Sequence, residues 1–283
     1  MARYVRPDAE RSARRINAAA RKIARGVEER SEAAVAERAR HFVYGWHAVN
    51  AALQRAPERL LEIWLVQSRD DARAQDLKVS AQAAGVHVHP VSADALAKLV
   101  GDVVHQGAAA AIRPLKAWHE HDLSQALSQL DVDPLLLILD GVTDPHNLGA
   151  CLRSADAAGV NAVVIPADRA AAVDGVVRKV AAGAAEFVPV ATVTNLARTL
   201  SALKERGIWV VGTDSEATQP LYSADLKRPL ALVLGAEGSG MRRLTRESCD
   251  FLVRIPMAGH LQSLNVSVAA GVALFEARRQ RAG

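Results

Sequence analysis

The sequence has few cysteines and no long apolar stretch. Cys151 and Cys249 are the only thiols among 283 residues, which indicates reduced side chains rather than a disulfide framework. No apolar run approaches the roughly 18 residues that a membrane helix needs. The N-terminal segment also lacks the apolar core of a signal peptide. We therefore expect a cytoplasmic protein with no membrane partner.

Motifs of common nucleotide-binding enzymes are also missing. The chain has neither the G-x-G-x-x-G fingerprint of dinucleotide-binding folds nor a phosphate-binding P-loop. An enzyme that uses NAD or ATP is therefore a poor interpretation. His87 and His89 alternate along a predicted strand, but a metal site would need at least a third ligand. Packing or surface roles are expected for both histidines, and no metal is predicted.

Charge is concentrated in residues 1–40. That segment carries eleven basic and six acidic residues, a net charge of +5, whereas the whole chain carries +4. The remaining residues 41–283 therefore have a net charge of −1. We predict a flexible or loosely helical basic extension. It is either an electrostatic hold on nucleic acid or a solvated tail without a specific partner.

Residues 41–114 have the pattern of a small α/β domain. Apolar or alternating runs predict strands, and the segments between them predict helices bounded by turn residues. The strands are expected at 60–67, 86–91 and 107–113, and the helices at 45–55, 70–84 and from Ser92 to Val100. The polar residues 115–134 suggest a linker that contains one short helix.

Residues 135–283 show a second and longer alternation. Six apolar runs are separated mostly by helical segments: 135–140, 161–166, 187–191, 208–212, 230–235 and 251–256. Strands that are apolar throughout indicate a parallel sheet with helices on both faces. Ligands of such sheets bind beyond the carboxyl ends of the strands, which directs attention to the loops that follow them.

Three of those loops carry polar or glycine-rich stretches. After the first strand, "DGVTDPHNLGACLRSADAAG" (140–159) places Arg153 six residues after Asn147 on a predicted helix. A guanidinium suits phosphate or an oxyanion, although Arg153 would also suit an ordinary surface. After the fifth strand, "GAEGSGMRRL" (235–244) carries Glu237, either a functional carboxylate or a helix cap.

The loop after the sixth strand contains a glycosylation pattern, Asn265-Val266-Ser267. Glycosylation is not expected in a cytoplasmic protein, and the pattern opens an apolar helix. Either Ser263 or Asn265 could cap the first turn of that helix. On spacing alone, Asn265 is best interpreted as a cap.

Taken together, the three motifs identify a family. "DGVTDPHNLGACLRSADAAGV", "LVLGAEGSGMRRL" and "IPMAGHLQSLNVSVAAG" closely resemble the three motifs of the SpoU branch of the SPOUT methyltransferases. Residues 42–114, from "VYGWHAV" to "VHQGAAAAI", resemble the ribosomal-protein-L30-like substrate-binding domain of one subfamily. The resemblance implies an α/β fold, with a deep trefoil knot in the SPOUT domain (135–283) behind an L30-like domain (41–114). It also implies a homodimer whose active site lies near the subunit interface.

The same resemblance implies the reaction and its residues. S-adenosylmethionine would donate a methyl group to the ribose 2′-hydroxyl of a guanosine in large-subunit ribosomal RNA. Carried over by position, the cofactor would be held by Gly235, Ile255 and Leu264, with Thr213, Ala236, Met257 and Val266 as neighbours. Within the third motif, "GHLQSLN" replaces a run that is usually made of small residues, which predicts an altered loop rim.

Arg153 is the residue that the resemblance implies at the reacting oxygen. It would hold the ribose or its phosphate and stabilise the developing alkoxide, and it has been discussed as the general base. A guanidinium is a poor base, so Glu237 is the alternative. Asn147, Glu237, Ser263 and Asn265 would position Arg153 and the substrate. A tRNA ribose methyltransferase and a non-catalytic RNA-binding module are the competing interpretations.

Overall fold

The computed structural model describes residues 41–68, 71–101, 103–113 and 115–282, and the predicted basic extension (1–40) lies outside them. Two sheets organise the chain. The strands are β1 His41–Tyr44, β2 Leu60–Val66, β3 His87–Val91, β4 Ala108–Ile112, β5 Leu135–Asp140, β6 Ala162–Pro166, β7 Val190–Val193, β8 Trp209–Thr213, β9 Gln219–Pro220, β10 Leu230–Gly235 and β11 Phe251–Arg254. The α-helices are α1 Trp46–Arg55, α2 Ala72–Ala83, α3 Ala93–Val100, α4 Glu120–Ser128, α5 Pro145–Ala158, α6 Gly175–Ala181, α7 Leu196–Glu205, α8 Arg243–Ser248 and α9 Val266–Ala282. Within the described ranges, no helix is both long and apolar enough to cross a membrane.

The first sheet has four strands in the order β1-β4-β2-β3. Only β2 and β3 run parallel, and β4 pairs antiparallel with both β1 and β2. The central strand β4 reads AAAAI and is buried along its whole length. Helices α1 and α2 pack on one face with Val43, Ile63 and Leu65, whereas α3 contributes Leu96 to a smaller cluster on the other face. The predicted α/β domain is confirmed, and its two faces are covered unequally.

The second sheet has seven strands in the order β7-β6-β5-β10-β8-β11-β9, and every pairing in it is parallel. Alternate residues of β5 supply two separate cores: Leu137 and Leu139 pack with α5 and α9, while Leu136 and Ile138 pack with α7. The predicted parallel sheet covered on both faces is confirmed. The trefoil knot stays a prediction.

The segment expected to be a linker is docked on this sheet. Trp118 forms a parallel bridge with Ala191, donating its backbone N–H to Val190 and accepting from Thr192. Leu123 of α4 is buried in the same core as α7. The short helix was predicted, but its apolar side is held by the second domain, so residues 118–128 extend that domain rather than merely connect two parts.

A polar cluster holds the two domains together. The Arg59 guanidinium donates to the backbone oxygens of Arg113 and Glu186, and Nη2 lies 3.4 Å from Oε2 of Glu186. Arg178 also pairs with the buried Glu186 carboxylate. Phe187 packs against the core of the first domain. These contacts explain why the strand predicted at 187–191 begins only at Val190: the residues before it belong to the domain junction.

Candidate active site

The carboxyl ends of β8, β10 and β11 open into one cleft of about 540 Å³. This volume falls within the range of small-molecule sites. All seven residues that the resemblance implies for the cofactor line the cleft: Thr213, Gly235, Ala236, Ile255, Met257, Leu264 and Val266. Glu237 and Ser263 also line it, whereas Asn147, Arg153 and Asn265 do not. The parallel sheet therefore places the site where its topology predicts, at one edge.

The loop after β10 forms one wall of the cleft. Ala236 and Gly240 exchange backbone hydrogen bonds of 3.1 and 2.9 Å, which close residues 236–240 into a tight hairpin. A Cβ on Gly235 would lie 2.1 Å from the carbonyl carbon of Gly240 and from the nitrogen of Met241. Gly235 is therefore required by the loop's own close approach, in addition to any contact with a ligand.

A buried ion pair ties this loop to β5. Asp140 is 1% exposed and accepts from the backbone N–H of Arg242 at 2.8 Å and from its Nε at 2.6 Å. Desolvation, the largest influence, would lower the pKa of Arg242, but hydrogen bonding and attraction from Asp140 and then Asp168 outweigh it and raise that pKa. The pair fixes the end of β5, and thus the start of the α5 loop, against the wall of the cleft.

A chain of hydrogen bonds links the three loops. Asn265 donates from Nδ2 to Oδ1 of Asn147 at 2.9 Å, and Asn147 donates from Nδ2 toward Oε2 of Glu237 at 3.4 Å. Asn265 Oδ1 in turn accepts from the backbone N–H and the hydroxyl of Ser267. Each asparagine donates from its amide nitrogen in the direction of Glu237 and accepts at its amide oxygen from the direction of α9. One orientation of each amide therefore satisfies its hydrogen bonds.

The structure thus assigns two functions to Asn265. It caps α9 through Ser267, as its spacing predicts, and it also holds Asn147. No cap bond from Ser263 is recorded within the described ranges; this residue lines the cleft instead. Ser267 completes the glycosylation pattern but lies inside α9, where its hydroxyl is already bonded to Asn265.

Arg153 neither lines the cleft nor joins the hydrogen-bonded chain that connects Asn147 and Asn265 to Glu237. It lies on α5, six residues beyond Asn147, which is about 240° around the helix and roughly 9 Å along its axis. Its side chain is exposed and has no recorded hydrogen bond or ion pair among the described residues. An exposed, unpaired guanidinium on this helix is available to a ligand or to a second chain.

Sequence reasoning missed three charged residues of the cleft: Asp214, Glu216 and Arg246. Arg246 donates from Nε to Oδ2 of Asp214 at 2.7 Å. Burial, the largest influence, would raise the pKa of the Asp214 carboxyl, but hydrogen bonds from Arg246 and from the Glu216 N–H outweigh it and lower that pKa. Asp214 directly follows β8, so the rule that ligands bind at strand ends would have found it.

The composition of the cleft fits S-adenosylmethionine. Three carboxylates, Asp214, Glu216 and Glu237, outnumber the single guanidinium of Arg246, which suits a ligand that carries cationic groups. The apolar side chains of Leu234, Met241 and Ile255 provide surface for a flat ring. Negative and apolar lining together match a molecule with a sulfonium, an ammonium and an adenine.

Known proteins share both parts of this chain. Residues 134–275 match the model of the SpoU rRNA Methylase family. The chain belongs to this family. Residues 42–118 match a second model, described as RNA 2′-O ribose methyltransferase substrate binding. The family predicted from the three SpoU motifs is therefore confirmed.

Relatives within the SpoU family align over most of the chain. The 23S rRNA (guanosine-2′-O-)-methyltransferase RlmB of Pectobacterium atrosepticum is 56% identical over 86% of this chain and 99% of its own. The protein of the same name from Pseudomonas aeruginosa is 56% identical over 84% of this chain and 96% of its own.

Solved SpoU structures share the fold across both domains. The SpoU methyltransferase AviRb from Streptomyces viridochromogenes is 25% identical and covers 86% of this chain and 90% of its own, with a TM-score of 0.65. The structure of AviRb in complex with the cofactor AdoMet, also 25% identical, covers 86% of this chain and 91% of its own, with a TM-score of 0.64. The crystal structure of an RNA 2′-O ribose methyltransferase is 29% identical and covers 87% of this chain and 90% of its own, with a TM-score of 0.63.

Proposed function

We propose that this chain transfers a methyl group from S-adenosylmethionine to the ribose 2′-hydroxyl of a guanosine in 23S ribosomal RNA. The observation that carries the proposal is the hydrogen-bonded chain Glu237–Asn147–Asn265, which joins the three SpoU loops beside the cleft. The RlmB relatives, which align over most of their own length and across both domains, support the substrate. The reaction takes place in the cytoplasm, where ribosomal RNA is available.

The cofactor would be held in the cleft by the loops after β8, β10 and β11. When bound, it supplies a methyl group that a sulfonium has already activated for transfer. The carboxylates of Asp214 and Glu216 would accept hydrogen bonds from its hydroxyl or ammonium groups. Leu264 and Ile255 would pack against its apolar parts. These residues do not themselves need to change protonation state during the reaction.

The ribose hydroxyl must lose its proton as its oxygen is alkylated. Glu237 is exposed at the rim of the cleft, and among the described residues its carboxylate accepts a hydrogen bond from Asn147 alone. It therefore keeps lone pairs free to accept the proton. Asn265 fixes Asn147, and Asn147 fixes the carboxylate, so both asparagines act as positioning residues. Arg153 stabilises the negative charge that develops on the oxygen.

Arg153 can perform that role only if a cleft is brought to it, and we propose that a second copy of the chain does so. An apolar stripe supports this dimer: Val268 and Phe275 of α9 are each 51% exposed, and Val272 lies between them at helical spacing. Helix α9 packs against α5, the helix that carries Arg153. A stripe of this kind on one face of a helix suits a self-complementary contact.

Mapping of 2′-O-methyl groups tests the proposed reaction. A strain that lacks this protein should lose one methylated guanosine in 23S rRNA, and the gene should restore it. Transfer RNA from the same strain should be unchanged. If a tRNA loses a 2′-O-methyl group while the methylation of 23S rRNA is unchanged, the substrate is a tRNA and not ribosomal RNA.

Mixing two inactive variants tests the dimer. Arg153→Ala retains an intact cleft, and Gly235→Ala retains Arg153 but has a displaced loop. If Arg153 serves the partner's cleft, co-expressed mixed dimers contain one complete site and recover a substantial share of activity. A mixture that stays as inactive as either parent, despite mixed dimers on a size-exclusion column, contradicts an interfacial site.

A further inference from the structure

Four aromatic or imidazole rings form a continuous row across the first sheet. The ring centroids of Phe42 and Trp64 lie 5.7 Å apart, and those of Trp64 and His89 lie 5.6 Å apart in a stacked arrangement with planes 20° from parallel. His87 meets His89 edge-on at 4.5 Å. We call Phe42, Trp64, His89 and His87 the ring row. It contains side chains from β1, β2 and β3.

The sequence builds this row through strand alternation. Even-numbered positions of β1, even-numbered positions of β2 from Glu62 onward and odd-numbered positions of β3 lie on the same face. Strand β4 lies between β1 and β2, and on this face it presents only Ala109 and Ala111. Because those side chains are single methyl groups, the rings of Phe42 and Trp64 can meet above the strand.

The ring row is only partly covered by the residues that the structure describes. Helix α3 packs Leu96 against Val66 and Ala109, and Trp64 packs against this small cluster. Phe42, Trp64 and His89 remain half-buried, and His87 is exposed. Nε2 of His89 has no hydrogen-bond partner among the described residues, since Oε2 of Glu62 is 3.9 Å away. The His89 nitrogen is itself buried, so what the sheet face offers to a ligand is the exposed parts of the rings, above all that of His87.

We propose that the ring row binds unpaired bases of the RNA substrate by stacking, an inference that rests on the proposed function. Flat π-faces suit nucleobases, and stacking on aromatic and histidine rings is the usual means of holding single-stranded RNA. The row lies within residues 42–118, the part that matches the RNA 2′-O ribose methyltransferase substrate-binding model. Base-paired RNA hides its base faces, so the row selects a loop or another single-stranded segment.

Binding of a short RNA tests the row directly. The probe is an unstructured, fluorescently labelled RNA of roughly 12 nucleotides, within the usual footprint of stacking surfaces. The same RNA annealed to its complement serves as the duplex probe. Trp64→Leu should weaken binding of the single strand by about 5- to 100-fold, the effect expected when one stacking ring is lost. Trp64→Phe, which keeps a ring, should retain most of the affinity, and the preference for single strand over duplex should fall only in the leucine variant.

Trp209→Leu provides a matched control. Trp209 is 39% exposed and contacts the ring of Phe251 at 5.9 Å, but it lies on β8 in the other domain. Its loss should leave RNA binding unchanged. If Trp64→Leu does not fold, as judged by circular dichroism, His87→Ala of the exposed end of the row takes its place. A folded Trp64→Leu or His87→Ala variant that binds the single strand like wild type overturns the proposal, as does equal wild-type affinity for the duplex.

Kinetics separate this role from catalysis. Trp64→Leu should raise KM for 23S rRNA, leave kcat near normal at saturating RNA, and leave S-adenosylmethionine affinity unchanged. The slope of binding against salt should also be unchanged in Trp64→Leu, because no phosphate contact is removed. If wild type does not methylate 23S rRNA, the proposed function fails while the two binding experiments still decide whether the ring row holds RNA.

Discussion

The two sheets of this protein differ in which surface the helices leave accessible: the strand ends in one sheet and part of a face in the other. The seven-stranded sheet is covered by helices on both faces, so its strand ends and loops remain, and the cleft lies there. The four-stranded sheet has a well-covered face and a half-covered one, and the half-covered face carries the ring row. The proposed cofactor site therefore lies at the edge of a sheet whose faces are both covered, and the proposed RNA site lies on the less covered face of the other sheet.

The two modes also differ in how rigidly they hold their side chains. At the edge, Asp140 and Arg242 fix the wall of the cleft, and a chain of amides fixes Glu237. On the face, the rings meet one another in tilted, stacked and edge-on contacts, without hydrogen bonds between them. Methyl transfer needs atoms placed to a fraction of an ångström, whereas anchoring RNA tolerates adaptable contacts.

The largest expected effect comes from Arg153→Ala. Loss of the guanidinium removes the group that stabilises the developing oxygen charge, so methyl transfer should fall by about 10²–10³-fold or more. Binding of S-adenosylmethionine, measured by calorimetry, should survive because Arg153 is absent from the lining of its own cleft and its proposed role is at the ribose oxygen, not at the cofactor. Arg198→Ala on α7 is the control and should have normal turnover. Near-normal turnover of the Arg153 variant would remove it from the mechanism.

Gly235→Ala should disable the edge site at its binding step. The added Cβ meets backbone atoms at 2.1 Å, so the loop 236–240 must move and the cleft loses its wall. We expect S-adenosylmethionine affinity to fall by at least about tenfold, the equivalent of one lost favourable contact or more. Gly175→Ala is the control because nothing lies within 4 Å of its Cβ. An unchanged affinity in Gly235→Ala would show that the cleft is not the cofactor site.

Asn265→Ala separates the two roles of this residue. It removes a helix cap, which costs about 1 kcal/mol of stability, and it also releases Asn147. Asn195→Ala is matched because Asn195 caps α7 through the N–H of Arg198 at 3.0 Å and follows β7, which β6 and β5 separate from β10. Both variants should lose similar stability in urea unfolding, but only Asn265→Ala should lose turnover, by roughly tenfold. Equal turnover in the two would leave Asn265 a cap alone.

The smallest expected effect is on the thiols, which report how well the second sheet is covered. Cys151 packs on one face of that sheet and Cys249 on the other. Burial raises the pKa of each thiol to about 12. At pH 8 only about one thiol in 10⁴ would be ionised, so neither should react with iodoacetamide within hours in the native protein. Rapid labelling of Cys249 would show that the face packed by α7 is open.

Most of the fold could be predicted because the strands of the parallel sheet are continuous apolar runs. Leu135–Asp140 and Leu230–Gly235 were predicted to the residue. Strand β1 was missed because its four residues gain their partner only from β4, 65 to 71 positions later. The two-residue β9 gives no periodic signal at all. The junction around Phe187 was also hidden, since its side chain packs on a different domain.

The candidate site shows a similar division. The cofactor residues came from the resemblance of three motifs, and their convergence follows from parallel strands ending at one edge. The role of Asn265 as a helix cap could be predicted from its spacing. Its hydrogen bond to Asn147 could not, because the two residues are 118 positions apart and meet only in the folded chain. The ion pair between Arg242 and Asp140 likewise joins residues that are 102 positions apart. Arg153 lies on a helix, as predicted. No local sequence pattern predicts that it is absent from the lining of the cleft in the same chain.

Methyl transfer to purified RNA tests the central account most directly. The full chain, labelled S-adenosylmethionine and 23S rRNA from a strain that lacks this protein should yield one labelled methyl group per RNA, on the ribose of a guanosine. Gly235→Ala should abolish incorporation at any RNA concentration, whereas Trp64→Leu should recover as RNA is raised. No incorporation by the wild-type chain, or a methyl group on a base, would contradict the account.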